Sequence, residues 1–459
     1  MRLSPVAACV AALAIVTAGC ASAGASGPGG MDGAAQVVPA NAVAFVAAST
    51  DVSSKAWHGL GAYALKQAND WTAELQGVAG SEVDVAVLPG DKTVAFVQPT
   101  DAAKLKAFAA KHNCVLRTFG DWTAVAGDAA TLDMVANAKT HLADNALYAE
   151  AMGRLPGGAL VRAYSNGDTA GNFLASIPGQ LEARLIPQGA KYRLKPDKPG
   201  FRTGIGVGTE QFRWLAAAVT STSSGLKLEA FAPTDGLTAS RPPRLAVQAI
   251  APYTSALVEE IPAGVLAVVD LQLPQGAFEL LPQLPSALKD LFGPNAFGLP
   301  NELDAVFGGE TAIYVRPALP MPEITFVTQP TDTAAASSTL DDLLKSAPKG
   351  SMLANLKVYR AVIGGQFVVS TTQQGIDDFR GGGAKLSADP GFLAARKQAG
   401  MPEQTTGFAY VNAQDVLPLL ALAGVKVPAD LPQVRSVVAF GGQTERESTF
   451  TAVVDIPSS

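Results

Sequence analysis

The chain has 459 residues, of which 48 % are hydrophobic and only 16 % charged, and its formal net charge is −6. That length exceeds what one ordinary core fills, and it points to more than one unit. The acidic balance, with no long run of Lys and Arg, lacks the phosphate-neutralising footprint that nucleic-acid binding needs, so nucleic acid is excluded as a partner.

Met1-Arg2 is a minimal positive start, Leu3 to Val16 is an apolar run rich in Ala, and Thr17-Ala18-Gly19-Cys20 follows. This resembles a bacterial lipoprotein signal, which implies that residues 1–19 are removed and that Cys20 is acylated. The apolar run is also too short for a comfortable membrane span. Residues 20–36 then read as the lipidated cysteine and a flexible tether of Ala, Ser, Gly and Pro, with a reach of roughly 20 Å. Export would permit disulfides. Of the three cysteines, however, Cys9 leaves with the signal and Cys20 carries lipid, so only Cys114 remains and no intramolecular disulfide is expected.

Residues 37–235 form the first unit. Ala42 to Ala48 is a short apolar strand, and Ser53 or Ser54 caps a helix whose stripe carries Trp57, Leu60, Tyr63 and Trp71. Glu82 to Leu88 and Thr93 to Val97 form a hairpin around Pro89-Gly90-Asp91. Asp84, between Val83 and Val85, is expected on the solvent side by simple alternation. Thr100 or Asp101 caps a helix that turns Leu105 and Phe108 inward. Cys114–Phe119 and Trp122–Ala126 form a second hairpin. Asp128 caps a helix with Leu132, Met134 and Val135, and Asp144 precedes one with Leu147, Tyr148 and Met152. Ala159 to Tyr164 is a strand, residues 178–210 are a basic-leaning insertion, and Phe212–Thr220 with Leu226–Ala232 closes the unit as a hairpin.

Residues 245–457 retrace that order. Val94 to Asp101 stands against Ile324 to Asp332, both ending Gln-Pro-Thr-Asp, and Ile261-Pro262-Ala263 answers Val38-Pro39-Ala40. The expected fold is α+β: two tandem related lobes, each a mainly antiparallel sheet packed against helices on one face. The Val-Pro-Ala-Asn-Ala-Val start at Val38, the phrases Asp144-Asn145-Ala146-Leu147-Tyr148-Ala149 and Asp389-Pro390-Gly391-Phe392-Leu393-Ala394, and the strand after each resemble the bacterial family catalogued as domain of unknown function 3352. The resemblance implies an exported or membrane-attached protein with a duplicated α+β body, and it carries no catalytic residues.

The search for chemistry returns little. His58, His112 and His141 are the only histidines, and no two have metal-ligand spacing, so no metal and no cofactor is expected. Gly-x-Ser-x-Gly and the phosphate loop are both absent. Ser286-Ala287-Leu288-Lys289 has the spacing of a Ser-Lys pair without its companion motifs. His112 and Cys114 are expected to straddle a helix end and a strand start. Asp341-Asp342 and Asp377-Asp378 read as solvated helix faces, and Gly364-Gly365 as a tight turn. The remaining candidate is an apolar binding surface of Trp57, Trp71, Phe278, Leu284, Leu288 and Phe292. These readings point to a lipid-anchored protein on the extracytoplasmic face of the cell membrane, with a non-catalytic binding or assembly role. Its expected partners are the membrane, reached through the anchor, and an envelope protein, lipid or cell-wall polymer. A carrier of an apolar ligand and a hydrolase without a recognisable motif stand as alternatives.

Overall fold

The computed structural model describes residues 31–50, 78–167, 213–233, 251–272, 309–318, 322–330, 332–346, 357–422 and 433–456. The first half of these residues holds β1 (Ala44–Ser49), β2 (Glu82–Leu88), β3 (Lys92–Val97), α1 (Ala102–Lys111), β4 (Val115–Phe119), β5 (Trp122–Ala126), α2 (Ala129–Ala136), α3 (Ala146–Gly153), β6 (Val161–Asn166), β7 (Trp214–Thr222) and β8 (Gly225–Pro233). The second holds β9 (Ala267–Gln272), β10 (Glu310–Arg316), β11 (Glu323–Thr328), α4 (Thr333–Ser346), β12 (Tyr359–Ile363), β13 (Gln366–Ser370), α5 (Gln373–Arg380), α6 (Pro390–Ala399), β14 (Gly407–Val411), α7 (Ala413–Leu422), β15 (Ser436–Gln443) and β16 (Glu447–Asp455). The fold class is α+β.

All sixteen strands belong to one sheet, in the order β12-β13-β11-β10-β9-β14-β15-β16-β8-β7-β6-β1-β2-β3-β5-β4. Where two sheets were expected, β8 and β16 pair along nine residues and join them edge to edge. Joining them there removes two edges that would otherwise be left with unpaired backbone groups. The order reads alike from either end, and the registers agree as well. Ala44 faces Val87 across β1 and β2, and Ala267 faces Val315 across β9 and β10. Val115 faces Ala126 across β4 and β5, and Tyr359 faces Ser370 across β12 and β13. Isolated bridges join Pro39 to His141 and Pro262 to Lys385.

Local chemistry accounts for the element ends. Asp101 accepts from the Ala103 and Lys104 N–H groups and starts α1, Asp128 accepts from Thr131 and starts α2, and Thr372 accepts from Gly375 and starts α5. Asn145 caps α3 and Asp389 caps α6, so Asn145, rather than its neighbour Asp144, corresponds to Asp389. Gly364 and Gly365 both take positive φ and turn β12 into β13.

Helices cover both faces of the sheet, not one. On one face α2 and α3 pack over Phe45, Ala86, Phe96 and Tyr164. On the other, Leu105 and Phe108 of α1 meet Val83, Val85, Val97 and Val125. Of the α2 side chains, Leu132 and Val135 are buried and Met134 is exposed.

This two-sided cover corrects the reading of Asp84. Alternation does turn it away from Val83 and Val85, yet that side is roofed by the 3₁₀ turn Gly33–Gln36, and Asp84 is fully buried. Its Oδ2 accepts the Ala34 N–H at 3.0 Å. The same turn corrects the end of the expected tether: Ala34 and Ala35 are buried core residues, so residues 31–36 belong to the folded body.

A cleft at the ends of three strands

The seven residues expected to carry lipid or an apolar surface, Cys20, Trp57, Trp71, Phe278, Leu284, Leu288 and Phe292, lie outside the described residues, as do the 178–210 insertion and Ser286. His112 ends α1 and Cys114 precedes β4, where its Sγ lies 3.7 Å from the His112 carbonyl oxygen, so the pair does straddle a helix end and a strand start. Asp378 is not simply solvated: it pairs with Arg316, which also lies 3.5 Å from the buried Glu323.

Two buried acidic clusters occupy matching places. Glu82 accepts from the Asp32 and Gly33 N–H groups, and Glu310 accepts from Ala256 and Leu257, so each acid ties a 3₁₀ turn (Gly33–Gln36 or Leu257–Glu259) to a strand. A further carboxylate sits beside each of them. In the first half Asp84 on β2 opposes Ala47 on β1; in the second Asp270 on β9 opposes Ala312 on β10. The two acids stand at like rungs of the two ladders, on opposite strands of the pair. Burial, reinforced by the charge of Glu82, pushes Asp84 well above the usual carboxylate range. Burial raises Asp270 to about 7, with the Glu310 charge adding to it and hydrogen bonds from the Tyr253 and Ser255 hydroxyls opposing it. These groups anchor backbone and hold one another, and they are best read as structural.

The candidate site is a cleft of about 160 Å³ between the N-terminal ends of α6 and α7 and the adjoining ends of β14, β15 and β16. Asn412 follows β14 and starts α7; its carbonyl accepts the Val416 N–H, and its Nδ2 donates to Asp415 at 2.8 Å. Ser436 opens β15 opposite Asp455, which ends β16. Arg435 donates its backbone N–H to the Asp455 carbonyl at 2.8 Å, and its guanidinium donates to the Asp455 carboxylate at 3.2 Å. The other carboxylate oxygen of Asp455, on a side chain only 4 % exposed, has no hydrogen-bond partner among the described residues. Tyr410 of β14 is buried, and its hydroxyl lies over Gly391, where an added Cβ would stand 3.3 Å from it. Burial first, then the charges of Asp389 and Asp415, push that phenol up to about 12, so it stays protonated.

The matching place in the first half is filled. Trp214 opens β7 as Ser436 opens β15, and it is buried against Tyr164, Ala151 and their neighbours. Leu147 stands two residues past the α3 cap, as Gly391 does past the α6 cap, and packs on the same core. Arg213, before Trp214, is held by Glu150 at 2.6 Å. An indole and an isobutyl group therefore occupy the space that serine and glycine leave open.

Sequence reasoning singled out none of Tyr410, Asp415, Arg435 or Asp455. Aligning the two closing hairpins, Trp214-Leu215-Ala216 against Ser436-Val437-Val438, would have exposed the missing indole. Among the described residues no group of three or more His, Cys, Asp or Glu is placed to hold a metal ion, and no helix is long and apolar enough to cross a membrane.

A scan against protein-family models gives no match, and a search of curated proteins gives none. Among solved structures, one titled "Structure of crystal form III of TP0453" aligns with 48 % of this chain and 88 % of its own, at 8 % identity and a TM-score of 0.27. A likeness that slight carries no functional argument.

Proposed function

We propose that the chain is an exported envelope lipoprotein, held to the membrane through Cys20, whose body is one α+β unit used twice and whose second copy binds a small polar ligand without transforming it. The observation that carries the binding role is the cleft beside Tyr410, Ser436 and Asp455, open where the first half is plugged by Trp214. Duplication is supported by the palindromic strand order and by registers that agree pair by pair. A near-two-fold relation between the halves is supported at the junction, where Glu229 opposes Thr451. There α3 and α6 reach across from equivalent positions, Arg154 to Glu447 and Gln398 to Ser224. The resemblance to the domain of unknown function 3352 fits this plan and the lipoprotein-like signal. A non-catalytic role is favoured because, among the described residues, no His or Cys lines the cleft to activate Ser436 as a nucleophile.

Attachment is tested by the intact mass of the protein extracted from membranes, which should carry diacylglycerol at Cys20. Cys20→Ala should release the protein from the membrane fraction. Unmodified mature protein in the soluble fraction of the wild type would overturn the anchor.

A further inference from the structure

The acids of the second half do more than tie down a turn. We infer that Tyr253, Asp270, Ser255 and Glu310 form a proton-dependent latch, which holds residues 251–264 on the sheet while Asp270 carries a proton and loosens them when that proton leaves. The hydrogen count calls for the proton. Ser255 stands between the two carboxyls, its Oγ 2.6 Å from Glu310 Oε1 and 3.0 Å from Asp270 Oδ2, and a hydroxyl has one hydrogen to give. Glu310 is the acceptor at the shorter contact, and its oxygens also take the Ala256 N–H at 3.0 Å and the Leu257 N–H at 3.1 Å, so it serves wholly as an acceptor. The contact between Asp270 and Ser255 then holds a hydrogen only if Asp270 supplies it. The Ser255 oxygen has room to accept it beside the Val258 N–H at 3.4 Å, and the other Asp270 oxygen accepts from the Tyr253 hydroxyl. Each oxygen in the chain then has a partner, as burial of the two acids to 1 % and 6 % exposure demands.

Loss of the proton sets two buried anions on either side of a single hydrogen. Among the described residues no Lys or Arg pairs with either acid, whereas the first-half cluster has Arg162 at 3.2 Å from Asp32. Burial beside the two acids keeps the Tyr253 phenol protonated. Tyr314 of β10 and Tyr410 of β14 stand opposite Val268, two positions from Asp270, and burial keeps them protonated as well. Glu259 and Glu260 of the turn are exposed, and Lys385 is spent on the carbonyls of Glu260, Phe379 and Gly381. Nothing therefore offsets the second charge, and it works against the turn. Burial pushes Asp270 up to about 7, with the Glu310 charge adding to it, so the latch is closed in mildly acid solution and loosens as pH rises through neutrality.

The latched segment touches both walls of the second-half cleft. Tyr253 and Thr405 exchange backbone hydrogen bonds at 2.9 and 3.0 Å just before β14, and Gly264 donates its N–H at 2.9 Å to Asp389, the cap of α6. A change at Asp270 thus reaches the start of β14 and the N-terminal end of α6 through the backbone, whether or not the cleft holds a ligand.

The test follows the isotopically labelled full chain in non-ionic detergent by NMR from about pH 5.5 to about pH 8.5. The Asp270 carboxyl carbon should titrate with a midpoint of about 7, and the Gly264 and Thr405 amide shifts should move with it. The Ala256 and Leu257 amides should exchange about tenfold faster at the upper end, after correction for the intrinsic rate. Asp270→Asn, which keeps a donor toward Ser255 and cannot ionise, should hold those amides protected throughout. Glu310→Gln, which removes the neighbouring charge, should lower the Asp270 midpoint by about one pH unit. An Asp270 carboxyl that is charged across the whole range, or one that titrates while Ala256 and Leu257 keep their protection, overturns the latch. A loss of protection that survives in Asp270→Asn, or a midpoint unmoved in Glu310→Gln, does so too. If neither variant folds, the wild-type carboxyl and amide titrations decide by themselves.

Discussion

The two ends of the sheet's central strands pose the same packing problem and solve it differently. Beside Tyr164 the space between helix and strand ends is closed by Trp214 and Leu147; beside Tyr410 it is left to Ser436 and Gly391. The aromatic scaffold around it hardly changes: Tyr148 meets Tyr164 edge-on at 5.2 Å, and Phe392 meets Tyr410 the same way at 5.4 Å. One half therefore spends its aromatic residues on stability, while the other keeps the frame and gives up the filling. A cavity of that kind costs stability unless something else favours it, which is why the open half is the place to look for binding.

The comparison is tested most severely at its plug. Trp214→Ala should cost about 3–5 kcal/mol in denaturant unfolding, because a buried indole is lost from a packed core, whereas Ser436→Ala should cost less than about 1 kcal/mol. Comparable losses at the two positions would remove the distinction between filled and open halves.

Next come the acids that tie down the 3₁₀ turns. Glu310 accepts from the Ser255 hydroxyl and from two backbone N–H groups, so Glu310→Ala should cost about 2–4 kcal/mol. Glu82→Ala should cost about half as much, because Asp84 still accepts from Ala34 in the first half. Urea unfolding of the two variants side by side checks the order.

The strand-swapped carboxylates sharpen the comparison through pH. Asp270 titrates near 7 when folded against 3.8 unfolded, so between those values the folded chain binds more protons than the unfolded chain. Its contribution to stability is therefore full below that window and falls as pH rises through it, by on the order of 1 kcal/mol per pH unit. Asp270→Asn should flatten this slope in unfolding free energies measured from pH 4 to 7. A slope that survives the substitution would assign the dependence to another group, such as Asp84.

The smallest effect belongs to the junction. Arg154 is half-exposed, so Arg154→Ala should cost about 0.2–1 kcal/mol, with most of the cohesion between β8 and β16 left to nine paired residues. A loss of several kcal/mol would mean that the side chains, rather than the paired backbones, hold the halves together.

How much of this could be read from the residues differs from place to place. β2 was legible to the residue because its alternation is bounded by turn formers, and α1 and α2 because Thr100-Asp101 and Asp128 offer capping side chains just before them. The burial of Asp84 was not, since alternation says which way a side chain points and not what lies above it, and its cover comes from residue 34, fifty positions away. The cleft was hidden for a related reason. Arg435 and Asp455 meet at the open end of one hairpin but stand twenty positions apart in the chain, Tyr410 comes from another strand, and the decisive feature is a side chain that is missing.

Amide chemical-shift mapping of the isotopically labelled chain during titration with small polar probes, ethanolamine, glucosamine and acetate, tests the central claim, the binding role of the second-half cleft, most directly. The account predicts saturable shifts at Gly391, at Tyr410 to Asp415 and at Arg435 and Ser436, with Leu147, Tyr164 to Asn166, Arg213 and Trp214 unmoved. Equal shifts in both sets, or shifts confined to the first-half residues, would contradict it.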